Sequence, residues 1–161
     1  MIAEIKALAE QQGDKLEFIP IGHVMALQKD LERFKSETRL SEKQIWALGF
    51  SSFEGIPKYT QSIIIAAIPN NPNKSLEGFR VQMIDLLKKS GYKAKSITSL
   101  PLKRMAAQSG LGFYGRNNII YVDGMGSRLS LAALATNIPC DINAWIDALL
   151  CHRGALIAIF A

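Results

Sequence analysis

The run SIIIAAIP at 62–69 constrains the fold more than any other stretch of the chain. Its isoleucines and alanines follow one another without the polar alternation of a half-exposed strand. Such a continuous β-branched run predicts a strand buried in the middle of a sheet, and Pro69, which has no N–H for a ladder, closes it.

The surroundings of this run predict helices and short strands. Ile2, Ile5, Leu8 and Ala9 recur at helical spacing, with Gly13 where a C-terminal cap belongs. Ile21, Val24, Leu27, Leu31 and Phe34 step by three or four, which predicts a helix over 22–36; LEFIPI before it reads as a short extended segment ending at Pro20. Ser41 and Gln44 have the capping-box spacing and predict a brief third helix. After the turn sequence NNPN, Ser75 can cap a helix with Phe79, Met83, Leu86 and Leu87 on one side and Gly91 as its stop, and YKAKSIT reads as a further strand.

Pro101 suits the first turn of another helix, running through Met105 to Gln108 and ending at Gly110. Beyond Gly115 the pattern becomes extended over 118–122. The turn sequence DGMG follows, and 128–135 is expected to return as the antiparallel partner of 118–122. Asp141 can cap a last helix, INAWIDALL, before the apolar tail GALIAIFA. The fold class expected is α/β (α+β): a central mixed or largely antiparallel sheet flanked by helices in a single domain, 1–161. Within it, 1–50 is a helical N-terminal part and 60–140 the sheet-containing core.

No segment reaches the roughly 18 apolar residues of a membrane span, and the first twenty residues carry four acids with no apolar signal core. A cytoplasmic protein without membrane contact is the expectation. Cys140 and Cys151 are the only cysteines, outside any CxxC pair, and read as free thiols in a reducing compartment. The formal net charge of +5 is unevenly spread: 80–128 holds nine Lys/Arg against Asp85 and Asp123, whereas 1–79 holds nine against ten acids. That cluster suits an anionic ligand, a phosphate-bearing cofactor or RNA, or else it solvates ordinary helix faces.

Gly110-Leu-Gly112-Phe-Tyr-Gly115 spells G-x-G-x-x-G, but the dinucleotide fingerprint needs a strand before it and a helix after it. Here a helix precedes and a strand follows, and no acid lies about 20 residues on. The glycines are instead expected to end a helix in a left-handed conformation and to let the backbone approach a neighbour or a flat ligand. Arg116 is either a ligand-binding charge or a tie to turn carbonyls, and Thr98 and Ser99 are either pocket residues or helix caps. His23 and His152 read as isolated surface residues, and Trp46 and Trp145 as core.

Taken together, LPLKRMAAQSGLGFYGRNNIIYVDGMGS, the later NIPCD and the upstream SIIIAAIP resemble the epoxyqueuosine reductase-like family of corrinoid iron–sulfur proteins related to reductive dehalogenases. The resemblance spans about residues 45–141. It implies an α/β domain binding base-off cobalamin, with Thr98, Ser99, Arg116, Ile120 and Leu131 carried over as pocket residues. Gly110, Gly112, Gly115, Asn117, Gly126 and Ser127 complete the implied cofactor-binding set. In the family, clusters in a following ferredoxin-type module pass electrons to cobalt for reduction of an epoxide in tRNA.

Two departures bear on chemistry. The family's catalytic aspartate falls at Thr98, which is no comparable acid near neutral pH. Cys151 matches one cluster cysteine, but Asp141, Ala144 and Asp147 stand where the others belong, and a four-iron cluster needs four thiolates or near equivalents. The stretch 141–161 therefore reads as a degenerate remnant of the ferredoxin-type region, with no 4Fe–4S cluster expected and no metal ligands assigned. The functional expectation is a corrinoid-binding domain without clusters of its own, a redox-protein fragment or an inactive relative. Its implied partners are tRNA or a separate electron-donor protein. Two alternatives stay open: an RNA- or protein-binding module on the same fold, and a small flavin- or nucleotide-dependent oxidoreductase.

Overall fold

The computed structural model describes residues 1–37, 39, 41–47, 52–141 and 145. In chain order its elements are α1 (Ile2–Gln11), β1 (Lys15–Pro20), α2 (Ile21–Glu37), α3 (Glu42–Ala47), β2 (Ser62–Pro69), α4 (Leu76–Lys89), β3 (Ala94–Ile97), α5 (Leu102–Gln108), β4 (Phe113–Tyr114), β5 (Ile120–Tyr121) and β6 (Leu129–Thr136).

Four of the strands form one sheet in the order β1-β2-β6-β3, and every neighbouring pair is antiparallel. The register sets Ile64 opposite both Phe18 and Leu134, and Ile97 opposite Ala133. Because β2 and β3 both run against β6, they run parallel to each other. They are joined by α4 as a crossover, with β6 inserted between them. This is the largely antiparallel sheet flanked by helices that the sequence predicts, and β1 extends it into the N-terminal part of the chain.

The alternation of β2 explains its unbroken apolar sequence. Ile63, Ile65 and Ala67 pack with Val24, Leu27 and Leu31 of α2 and with Met105, Ala106 and Ala107 of α5. Ile64, Ala66 and Ile68 point the other way, into a second core with Ile5 and Ala9 of α1 and Phe79, Met83 and Leu87 of α4. Both faces are covered, so neither set of side chains can be polar.

Local signals set the helix ends. Ser75 Oγ accepts from the Gly78 N–H at 2.9 Å, and Ser41 and Gln44 exchange the reciprocal bonds of a capping box. Gly13 and Gly91 follow their helices with φ of 81° and 84°, where a side chain would be strained. Leu8, expected on the buried face of α1, is 37% exposed.

One pairing differs from expectation. The stretch 128–135 does not return on 118–122: β5 pairs with β4, a strand that lies inside the glycine motif, and β6 pairs with β2 and β3. The reason lies in the turn. A single antiparallel bridge joins Val122 to Gly126, and Gly124 and Gly126 both take positive φ, which redirects the chain from the small hairpin into the main sheet. The expected last helix after Asp141 and the apolar tail lie outside the described residues.

Candidate functional site

The segment from Thr98 to Leu131 covers the α2 side of the sheet by means of one short helix and a tight hairpin. α5 begins after Pro101 and is almost wholly buried on its Met105–Ala106–Ala107 face. Gly110 turns the chain with φ of 80°, and the Gly112 N–H donates to the Ala106 carbonyl at 3.1 Å, which fastens the hairpin to the helix.

The hairpin is closed by its own backbone. Gly115 N–H donates to Ile119 O at 2.8 Å, Asn118 N–H to Gly115 O at 3.0 Å, and Asn118 adopts φ of 60°. A left-handed asparagine at a tight turn is ordinary chemistry for that residue. Gly112 and Gly115 are small because β5 is close: a Cβ at Gly112 would stand 2.7 Å from the Tyr121 carbonyl oxygen, and one at Gly115 2.6 Å from the Tyr121 ring. The close approach foreseen for the glycines is thus made to the chain's own neighbouring strand. A helix leads into the motif and a strand lies within it, so the flanks required of a dinucleotide site are absent there.

The residues singled out in the sequence fall into three groups. Gly110, Gly112, Gly115, Arg116, Asn117 and Ile120 belong to the hairpin: Ile120 is buried in the core, Asn117 Nδ2 donates to the Tyr121 hydroxyl at 3.2 Å, and Arg116 is exposed at the tip. Thr98 and Ser99 sit elsewhere, beside the 52–56 loop. Thr98 is exposed, and Ser99 Oγ donates to the Glu54 carbonyl at 2.7 Å rather than capping α5. Gly126, Ser127 and Leu131 line the redirecting turn and the start of β6, where Leu131 is half-buried against the core alongside Met125 and Leu129. Asp141 is exposed; Ala144, Asp147 and Cys151 lie outside the described residues, and Cys140 is buried with Sγ 3.6 Å from the Phe18 carbonyl oxygen.

Sequence reasoning missed a cleft of about 440 Å³ on the other side of α5, lined by His23, Asp30 and Arg33 of α2, Arg104 and Gln108 of α5, and Trp145. His23, expected to be an isolated surface residue, stacks on Trp145 with ring centroids 5.2 Å apart and planes 8° from parallel. Burial lowers the pKa of the Arg104 guanidinium, while Tyr114 and Asp30 act in the opposite direction. Burial pushes the Tyr114 hydroxyl up to about 12, with the nearby Arg104 charge opposing it. A signal was available: Arg104 and Gln108 stand four apart, hence on one face of the helix.

Among the described residues no group of three or more His, Cys, Asp or Glu side chains is placed to hold a metal ion, and no helix is long and apolar enough to cross a membrane.

No family model matches the sequence, and no curated protein does. Solved structures do match. An epoxyqueuosine reductase crystallised with selenomethionine superposes with a TM-score of 0.60 at 20% identity, over 90% of this chain and 48% of its own. The epoxyqueuosine reductase of Streptococcus thermophilus gives 0.58 at 19% identity over 91% of this chain and 48% of its own. A third, solved with an epoxyqueuosine-modified tRNA-Tyr stem loop, gives 0.54 at 20% identity over 90% of this chain and 47% of its own. The chain spans about half the length of each, and over nearly all of its own length it has the fold that they share.

Proposed function

We propose that the chain is an epoxyqueuosine reductase-like corrinoid-binding domain that carries no iron–sulfur cluster of its own. The observation that carries this reading is the conjunction of the LPLK…GLGFYGRN segment, folded as a helix and hairpin against the sheet, with a fold shared with epoxyqueuosine reductases over 90% of the chain. Further support comes from the half-buried Met125, Leu129 and Leu131, an apolar shelf suited to a flat macrocycle. Ser127 would meet polar substituents at its rim, and Arg116 and Asn117, at the exposed hairpin tip, would meet a phosphate or amide.

Bound cobalamin would supply a metal centre for electron transfer. The protein's part is to hold and orient it and to keep water from one face. Thr98 supplies a hydroxyl where the resemblance puts an acid, so the chain binds without protonating a substrate. With two cysteines this stretch cannot furnish the four thiolates of a cluster, and electrons would come from a donor outside it.

The test is anaerobic addition of cobalamin to the purified protein, followed by its visible spectrum. A base-off shift that saturates at one equivalent, and that is lost in Leu131→Glu, is the expected result. A spectrum identical to free cobalamin at every ratio would overturn the reading.

A second reading, contact with tRNA, is favoured by the nine cations of 80–128 and by the neighbour solved with a tRNA stem loop. It requires binding that weakens steeply with salt. Unchanged stem-loop mobility at low ionic strength would remove it.

A further inference from the structure

The cleft between α2 and α5 plays no part in the corrinoid reading, yet it holds a combination that packing alone does not explain. Gln108 is only 4% exposed, and its Oε1 finds no hydrogen-bond partner among the described residues. Leaving a buried acceptor unsatisfied costs stability, and an apolar side chain of similar shape would avoid that cost. We infer that the cleft binds a small zwitterion bearing a flat ring, an aromatic amino acid being the simplest member of the class.

Each part of such a ligand has a counterpart. An ammonium group donates to Gln108 Oε1 and faces the Asp30 carboxylate. A carboxylate faces the guanidinium groups of Arg33 and Arg104, whose planar forks suit it. Asp30 and Arg33 now form an exposed pair at 3.6 Å, which costs little to open. The His23–Trp145 stack offers a flat aromatic wall to the ring. A purely anionic ligand would leave the Gln108 acceptor unmet and would meet the carboxylates of Asp30 and Glu37; a purely cationic one would meet two guanidinium groups. Only a molecule with both charges satisfies the lining. At about 440 Å³ the space lies in the lower part of the usual range for small-molecule sites.

Saturation-transfer NMR and titration calorimetry with L-phenylalanine and L-tryptophan, on the whole chain without added cobalamin, test this. Both should bind saturably, and glycine and indole, each carrying half of the recognised features, should bind at least about tenfold more weakly. Gln108→Leu should weaken L-phenylalanine binding by about tenfold or more without lowering the melting temperature, because it removes a buried unsatisfied acceptor. Arg104→Gln should weaken it too, and Gln108→Glu should retain it by keeping the acceptor. Absence of saturable binding by both amino acids, unaltered binding in Gln108→Leu, or indole binding as tightly as L-tryptophan would each overturn the inference.

Discussion

The two faces of the sheet are built from the same strands and differ in how they are covered. On one, Ile64, Ile68 and Leu134 meet α1 and the fourteen-residue α4, whose ends are set by Ser75 and by the turn into Gly91. On the other, Ile63, Ile65 and Ala133 meet α2, the seven-residue α5 and a hairpin whose paired strands are two residues each. The first cover depends on side-chain volume. The second depends on backbone geometry, with Gly110, Asn118, Gly124 and Gly126 all at positive φ and polar side chains of α5 turned into a cleft. Both faces bury an apolar core, and the α2/α5 face carries in addition the hairpin and the polar cleft to which a ligand could bind.

The contrast breaks most readily through core truncation. Leu134→Ala, at a position 1% exposed, should cost about 2–5 kcal/mol of unfolding free energy, through lost burial and the cavity left in the core. Leu131→Ala, three residues earlier and half-buried on the other face, should cost about 1 kcal/mol. Urea titrations of both variants decide it; equal losses would erase the distinction between a filled core position and the half-open shelf at Leu131.

A smaller effect separates the two hairpin glycines. Gly112→Ala places Cβ against a carbonyl oxygen that cannot move without the strand, and should cost about 1–3 kcal/mol. Gly115→Ala meets the ring of Tyr121 and the Asn117 side chain, which can swing aside, and should cost less. Thermal unfolding of the pair would count against a cover held by backbone contacts if Gly115→Ala proved the more damaging.

The smallest effect is electrostatic and shows only in alkali. Tyr114 titrates near 12 in the folded chain against 10.0 for an ordinary tyrosine. Between those values the unfolded state gives up a proton that the folded state keeps, so Tyr114's contribution to stability is level below about pH 10 and turns unfavourable as the pH rises towards 12. Tyr114→Phe should flatten that decline. An unchanged slope in the variant would show that the loss comes from other groups.

Much of the α1/α4 face was legible in the sequence, because its determinants are local. Ser75 three residues before Gly78, the Phe79–Met83–Leu87 spacing and the SIIIAAIP run each name their own structure. The other face was legible only in part. The glycines announced a close approach, but what they approach, Tyr121, was set by a two-residue strand, Phe113–Tyr114, too short to show any period. The partner of β6 was misread for a related reason: adjacency favours a hairpin across DGMG, whereas pairing is decided by the eight-residue match to β2. Of the implied site, the hairpin residues do come together, while Thr98 and Ser99 belong with the 52–56 loop. Gln108 and Arg104 were hidden because polar residues on a short helix read as surface until α2 is laid beside it.

The insertion of β6 between β2 and β3 also governs how the chain can be assembled. Until residues 129–136 have been synthesised, the two strands joined by α4 have no common neighbour, and each presents an unpaired edge, one of them made of three consecutive isoleucines. Completion of the sheet must therefore wait for a contact between segments some 70 residues apart, Ile63 with Ala135 for example. Such non-local closure slows folding and leaves a β-rich, aggregation-prone stretch exposed on the nascent chain. The strand that completes the sheet is in that sense also its guard, and production of this protein should depend on how quickly the segment 129–136 arrives and docks.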